Sequence, residues 1–209
     1  MIDVHPPHKR IHGVAEFFLH LFTITIGLLI ALALENAAEA IHHRHQRDEA
    51  QTTIREEITE NRAELVKADT AIKSELDNLT AVLGYLAARS DGKDASTAGI
   101  SLGFSLTHLQ NAGWRTAAAT GAVQYMDYKA VQRFAESYDL QEVYNGLQNQ
   151  TLNNYLSLNS HVAAKKDPKS LTPQEAEATM PDVRVAMAHL GAMRDVSGGL
   201  LKSYDEALK

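Results

Sequence analysis

Residues Phe17 to Leu34 read FFLHLFTITIGLLIALAL, eighteen residues without a charged side chain. As a helix rising 1.5 Å per residue they reach roughly 27 Å, close to the hydrocarbon thickness of a bilayer. The stretch predicts a single transmembrane helix over residues 14–38, preceded by a short tail, residues 1–13. A cleaved signal peptide competes for the same residues, because Ala31, Ala33, Ala37 and Ala38 imitate a small-residue cleavage site. No helix breaker precedes those alanines, and helix-forming residues continue beyond them, so a retained anchor is expected. Lys9 and Arg10 lie on one side of it, and Arg44, Arg47 and Arg55 lie on the other. The count of basic residues does not decide orientation. The closeness of Lys9 and Arg10 to the apolar boundary favours a cytoplasmic tail with the remaining chain outside.

The anchor has two unlike sides. Glu16, His20, Thr23, Gly27, Ala31, Glu35 and Ala38 recur every three or four residues and share one helical face. Phe17, Phe18, Leu21, Phe22, Leu28, Leu29 and Leu32 fill the rest. Stripes of small and polar residues let membrane helices approach closely. His20, Thr23, Gly27, Ala31 and Glu35 are therefore the candidate interface with another helix, in a copy of this chain or in a different membrane protein. In the plainer alternative, His20 and Glu35 simply sit at the two membrane surfaces.

Beyond the membrane the pattern stays helical. No proline occurs between Pro7 and Pro168, and no glycine between Gly27 and Gly84. Ile58, Leu65, Ile72, Leu79 and Leu86 fall at intervals of seven, and Ile54, Asn61, Ala68, Glu75 and Val82 hold the companion position. One seam position is apolar throughout and the other mixed, a partial coiled-coil signature. One helix from about Val14 to about Ala88 is expected, with residues 39–90 as a stalk. At on the order of 110 Å it is too long to stand without packing partners.

The remainder, residues 109–209, follows a loop over residues 91–108 that opens on the turn cluster Ser90-Asp91-Gly92-Lys93-Asp94. A short helix is predicted near Leu106–Thr120. A longer one follows, capped by Asp127, running to about Ala164 with Val131, Phe134, Tyr138, Val143, Leu147, Leu152, Tyr155 and Leu158 as its core stripe. Lys165–Leu171 reads as a loop. Thr172-Pro173-Gln174-Glu175 then reads as a helix start with a capping box. The last helix offers Val183, Met187, Leu190, Met193 and Leu200 to a core, with Pro181 and Gly198-Gly199 as points of bending or breakage. The fold class is all-α: an anchor continuing into a stalk helix, packed with about three further helices as a four-helix-type bundle.

A net charge of −6 argues against nucleic acid, which asks for a basic face. The absence of cysteine excludes disulfides, thiolate metal sites and cysteine nucleophiles. There is no nucleophile motif, glycine-rich phosphate loop or HExxH, and an enzyme is not expected. His42, His45 and Glu49 share a face and have metal-binding chemistry. A juxtamembrane segment contacting lipid headgroups explains them as well, and no metal is assigned. A haem on His20 would need a second axial ligand from another chain, so no cofactor is expected. The densest group of special side chains is Trp114, Arg115, Thr120, Tyr125, Asp127 and Tyr128, which reads either as a small-ligand pocket or as a core corner between two helices.

The pattern Trp114-Arg115-x-Ala-x-x-Thr120-Gly121-Ala122, followed by Met126-Asp127-Tyr128, resembles uncharacterised bacterial single-pass membrane proteins. These similarly open with a short tail and an anchor like ITIGLLIALALE, here Ile24–Glu35, before a helical domain of unknown function. The resemblance implies architecture and a bacterial source and carries no catalytic residues; with the orientation favoured above, a bacterial inner-membrane location with the soluble part periplasmic is expected. The expected function is a membrane-anchored structural or accessory protein that assembles through its transmembrane helix and stalk. Its partners are membrane lipid and a second copy or another membrane protein. The alternative is an extracytoplasmic sensory or ligand-binding domain that signals through a partner.

Overall fold

The computed structural model describes residues 13–94, 96, 103–163 and 170–209, with the backbone alone at 161–163. Four α-helices are found there and no strand: α1 (Val14–Ser90), α2 (Ala112–Ala119), α3 (Tyr128–Ala163) and α4 (Pro173–Ala207), with a 3-10 turn at Ala122–Tyr125 between α2 and α3. The chain is all-α, as expected. Residues 1–12 of the predicted tail, most of the loop near Gly99 and residues 164–169 lie outside the described residues.

α1 runs unbroken for 77 residues because nothing in it interrupts the hydrogen-bond ladder. It stops at Gly92, whose φ of +71° is a left-handed conformation that glycine adopts without strain. The Lys93 amide then donates back to the Ala88 carbonyl at 2.9 Å, which satisfies an otherwise orphaned acceptor. Along this helix the chain divides into two compact units, one ending at Asp48 and the other spanning Glu49–Lys209.

In the first unit the apolar run is uncovered. Its large hydrophobic side chains between Phe17 and Leu34 are 41–68% exposed. By length and composition this part of α1 can cross a membrane. The Thr23 and Thr25 hydroxyls are satisfied within the helix, donating to the carbonyls of Leu19 (2.9 Å) and Leu21 (2.8 Å).

In the second unit three long helices share one core. Among the buried positions of α1, Ile54, Ile58, Asn61, Leu65, Ala68, Ile72, Leu79, Val82 and Leu86 keep the seven-residue spacing read from the sequence, with Glu75 half-buried at its expected place and Glu57 and Tyr85 buried beside the seam. α4 keeps it from Ala176 to Ala207 without a gap, through Thr179, Val183, Ala186, Leu190, Met193, Ser197, Leu200 and Tyr204. Pro181 neither bends it out of register nor ends it; the ring lies on the exposed side, and Gly198-Gly199 are likewise helical. Both halves of the Thr172–Glu175 capping box are formed.

α3 departs from the apolar stripe drawn from its sequence. Its buried seam is Ala130, Phe134, Ser137, Gln141, Tyr144, Gln148, Thr151, Tyr155 and Leu158. Val143 is exposed, and Leu147 and Leu152 lie at the margin. Following apolar residues alone placed the middle of the stripe one residue off, because the true seam is polar there.

Cross-helix contacts fix the directions. Arg55 donates to the Leu208 carbonyl (2.7 Å), Arg62 pairs with Asp205 (2.7 Å) and Arg194 with Asp69 (3.4 Å), so α4 runs antiparallel to α1. Glu57 meets Tyr138 and Asn61 meets Gln141, so α3 runs parallel to α1. α3 and α4 are antiparallel and approach each other far more closely than either approaches α1. Small side chains on their seam, among them Ala130, Ser137, Ala186 and Ser197, permit this, and the Ser137 and Ser203 hydroxyls bond at 2.8 Å.

Two parallel helices that follow each other in sequence need a return path. Residues 103–111 supply it as a non-helical strap lying along α1 and α3. The helix predicted from Leu106 is therefore shorter, beginning only at Ala112. The fourth side of the bundle is taken by this strap together with the eight-residue α2.

Candidate functional site

The strap shows how unusual side chains came to sit in the helical seams. None of residues 103–110 makes a backbone–backbone hydrogen bond with another described residue. Buried peptide groups must still be paired. Gln148 of α3 does this at Thr107, its Oε1 accepting from the Thr107 amide (2.8 Å) and its Nε2 donating to the Thr107 carbonyl (3.0 Å). Asn61 of α1 does the same at Gln110, accepting from the amide and donating to the carbonyl, each at 2.7 Å. Gln141 adds a second donor to the Gln110 carbonyl at 2.9 Å, and its own Oε1 accepts from the buried Tyr204 hydroxyl at 2.6 Å. At the end of the strap the Gly113 amide donates to Glu57 Oε2 (2.8 Å), while the other Glu57 oxygen accepts from the Tyr138 hydroxyl. A Cβ at Gly113 would lie 3.1 Å from the Thr53 methyl, so a side chain there would crowd α1.

The spacing has a geometric cause. The strap touches α3 at Phe104 on Tyr155, Thr107 on Gln148 and Gln110 on Gln141. Three strap residues thus pass seven helical residues, a rise of about 10.5 Å, or about 3.5 Å per strap residue. That is the reach of fully extended chain. Gln141, Gln148 and Tyr155 occupy the same heptad position because an extended backbone presents itself there once per heptad.

The predicted corner residues do not converge on one recess. Trp114 is half-buried and stacks on Tyr138, with ring centroids 5.5 Å apart and planes 9° from parallel. Asp127 caps α3, accepting from the Ala130 amide at 3.1 Å. Thr120 is exposed, and its hydroxyl donates to the Thr116 carbonyl at 2.9 Å. Arg115 is exposed, Tyr125 half-buried, and Tyr128 is 73% exposed. Trp114 and Asp127 make packing and capping contacts at this turn, while Arg115, Thr120 and Tyr128 are exposed. Glu57, Asn61, Gln110, Gln141 and Gln148 were not singled out from the sequence. The available signal was polar residues at seam positions, above all Asn61 in an otherwise apolar heptad.

Burial moves several ionisable groups. The Tyr138, Tyr155 and Tyr204 hydroxyls are pushed well above the usual tyrosine range, chiefly by desolvation and further by the carboxylates beside them. Tyr144 is raised for the same leading reason. Desolvation also raises the Glu75 carboxyl, against hydrogen bonds from Tyr155 and Asn78 that favour its charge.

On the anchor, His20, Thr23, Gly27, Ala31 and Glu35 are all exposed. A Cβ at Gly27 would meet no atom within 4 Å, so this chain leaves the notch open. His42, His45 and Glu49 are exposed as well, and no group of three metal-binding side chains gathers among the described residues. No protein-family model matches the chain, and neither a curated protein nor a solved structure does so.

Proposed function

We propose that this chain is a membrane-anchored structural or accessory protein that assembles, as a homo-oligomer or as a subunit of a larger membrane complex, through the apolar part of α1. The observation that carries the proposal is the uncovered run from Phe17 to Leu34. Leaving that many large apolar side chains in water forfeits on the order of 20 kcal/mol of transfer free energy. Lipid, or another apolar helix, is the surrounding that such a surface calls for. The open notch at Gly27, on the face shared with His20 and Glu35, supports helix–helix contact there, since a polar side chain within hydrocarbon gains from a partner.

The expected stalk contact narrows. From Ile54 onward the heptad seam of α1 is filled by α3, α4 and the strap of the same chain. Assembly is therefore assigned to the membrane segment and the exposed residues 39–48 that follow it. The proposal includes a single-pass anchor in a bacterial inner membrane with the bundle on the periplasmic side, an orientation that rests on Lys9 and Arg10 beside the start of the anchor.

Mass measurement of the full chain purified in mild detergent tests the assembly. A complex larger than one chain is expected, and Gly27→Leu should shift it toward the monomer. A strictly monomeric particle with no co-purifying chain would sink the proposal. Recovery of the full chain in the soluble fraction, without detergent, would remove its membrane basis.

A further inference from the structure

The strap is fastened unlike any other part of the bundle. Its peptide groups are held by side chains of α1 and α3, and Ser105, Leu106, His108 and Gln110 are exposed. Its apolar hold is confined to Leu109, which is buried, and Phe104, which stacks on Tyr155 with centroids 5.2 Å apart. By contrast, α3 and α4 carry their own helical ladders, broken in α4 only by the missing amide of Pro181, and pack closely along each other. Segments with few buried apolar contacts and no backbone ladder of their own open first, and they do so in contiguous units.

We propose that residues 104–111, together with the start of α2 as far as Gly113, are a releasable latch. They leave the groove between α1 and α3 as one unit while α3 and α4 stay folded together, and in place they hold α1 in register on α3. The register function follows from who makes the bonds. Gln110 is gripped from both helices at once, by Asn61 of α1 and Gln141 of α3, so the strap bridges them. Release removes that bridge and bares Asn61, Gln141 and Gln148. Nearer the corner it also frees Glu57, the acceptor of the Gly113 amide. The latch goes beyond the assembly proposed above, since it needs neither a membrane nor a partner.

Hydrogen exchange of the full chain in mild detergent, read by mass spectrometry, tests it. The bonded amides of Thr107 and Gln110, and that of Gly113 beside them, should exchange at one common rate, much faster than amides in the middle of α3 and α4. Gln148→Ala should speed exchange at all three of these amides by about 5- to 30-fold, with the centres of α3 and α4 unchanged. Thr107→Pro removes the donor on the strap itself, leaves every helical side chain in place, and should act in the same way. Two results would overturn the latch. One is strap exchange that occurs only with global unfolding, at the same rate as α3 and α4. The other is acceleration by Gln148→Ala confined to residue 107, with the Gln110 and Gly113 amides unchanged in both variants.

Discussion

Asn61→Leu separates two accounts of the polar seam. If α1 were only a heptad helix packed on two others, asparagine at a core position would cost stability, and leucine would recover it. With the strap in place the outcome reverses. Asn61 is 1% exposed, and its carboxamide satisfies both the amide and the carbonyl of Gln110. The Gln110 carbonyl keeps a second donor from Gln141, but the amide has no other acceptor. An orphaned amide there costs about 1–3 kcal/mol. Branched methyl groups thrust toward the strap backbone cost a similar amount, and the gain from burying leucine offsets part of the sum. The net expectation is a loss of about 2–3 kcal/mol. For a unit the size of Glu49–Lys209 this lowers Tm by about 5–10 °C. Thermal and urea unfolding of the full chain in mild detergent, followed by circular dichroism and by the fluorescence of the single tryptophan, measures it. A variant as stable as the parent, or more stable, would refute the claim that Asn61 is in the seam to serve the strap.

The remaining predictions concern charge and the corner. Glu75 has its carboxyl raised by burial, so its folded-state contribution is fully present below the unfolded carboxylate range and is lost as pH rises through the folded value. Glu75→Gln should therefore unfold at a higher temperature than the parent at pH 7, and the gap should close near about pH 4, where both side chains are neutral. Equal differences at both pH values would contradict this. Alkaline titration followed by phenolate absorbance should leave Tyr138, Tyr144, Tyr155 and Tyr204 unionised beyond the ordinary range near pH 10, and they should then ionise together as the bundle unfolds. Four independent, gradual ionisations in the folded protein would argue against their burial. At the corner, Trp114→Ala should cost about 2–4 kcal/mol through the lost stack on Tyr138, Asp127→Ala about 1 kcal/mol through the lost cap, and Tyr128→Ala less than about 0.5 kcal/mol. Thermal denaturation ranks the three, and a Tyr128 effect as large as that of Trp114 would assign the ring a contact that its exposure denies.

Much of the fold was legible in the residues. The seam of α1 was read position by position, Asp127 and Thr172 were read as caps, and the long uninterrupted helix followed from missing breakers. These are local signals in which periodicity and capping chemistry act within a few turns. The strap was not legible for a physical reason. Extended chain tied down by amide side chains has no periodicity of its own, and Leu106–Asn111 contains good helix formers that a tertiary grip pulls straight. The same grip hid the seam of α3, where Gln141 and Gln148 are buried although their side chains look made for solvent. The corner residues drew notice for their chemistry, yet Trp114 and Asp127 spend it on packing and capping.

The three-to-seven match between strap and helix works like a gear ratio, and it restricts how such a chain can change length. One residue added between Thr107 and Gln110 has no tooth to engage: either one of these peptide groups slips from its amide partner or the slack bulges into solvent. One residue added to α3 turns Gln148 about 100° away from the peptide it serves. A change that keeps the mesh adds a heptad to each of the three helices and three residues to the strap together. Relatives of different length, whether found or built, should differ in those quanta. A single-residue insertion between Phe104 and Gln110 should be among the least tolerated in the chain, although it falls in a segment without secondary structure, where insertions are ordinarily mild.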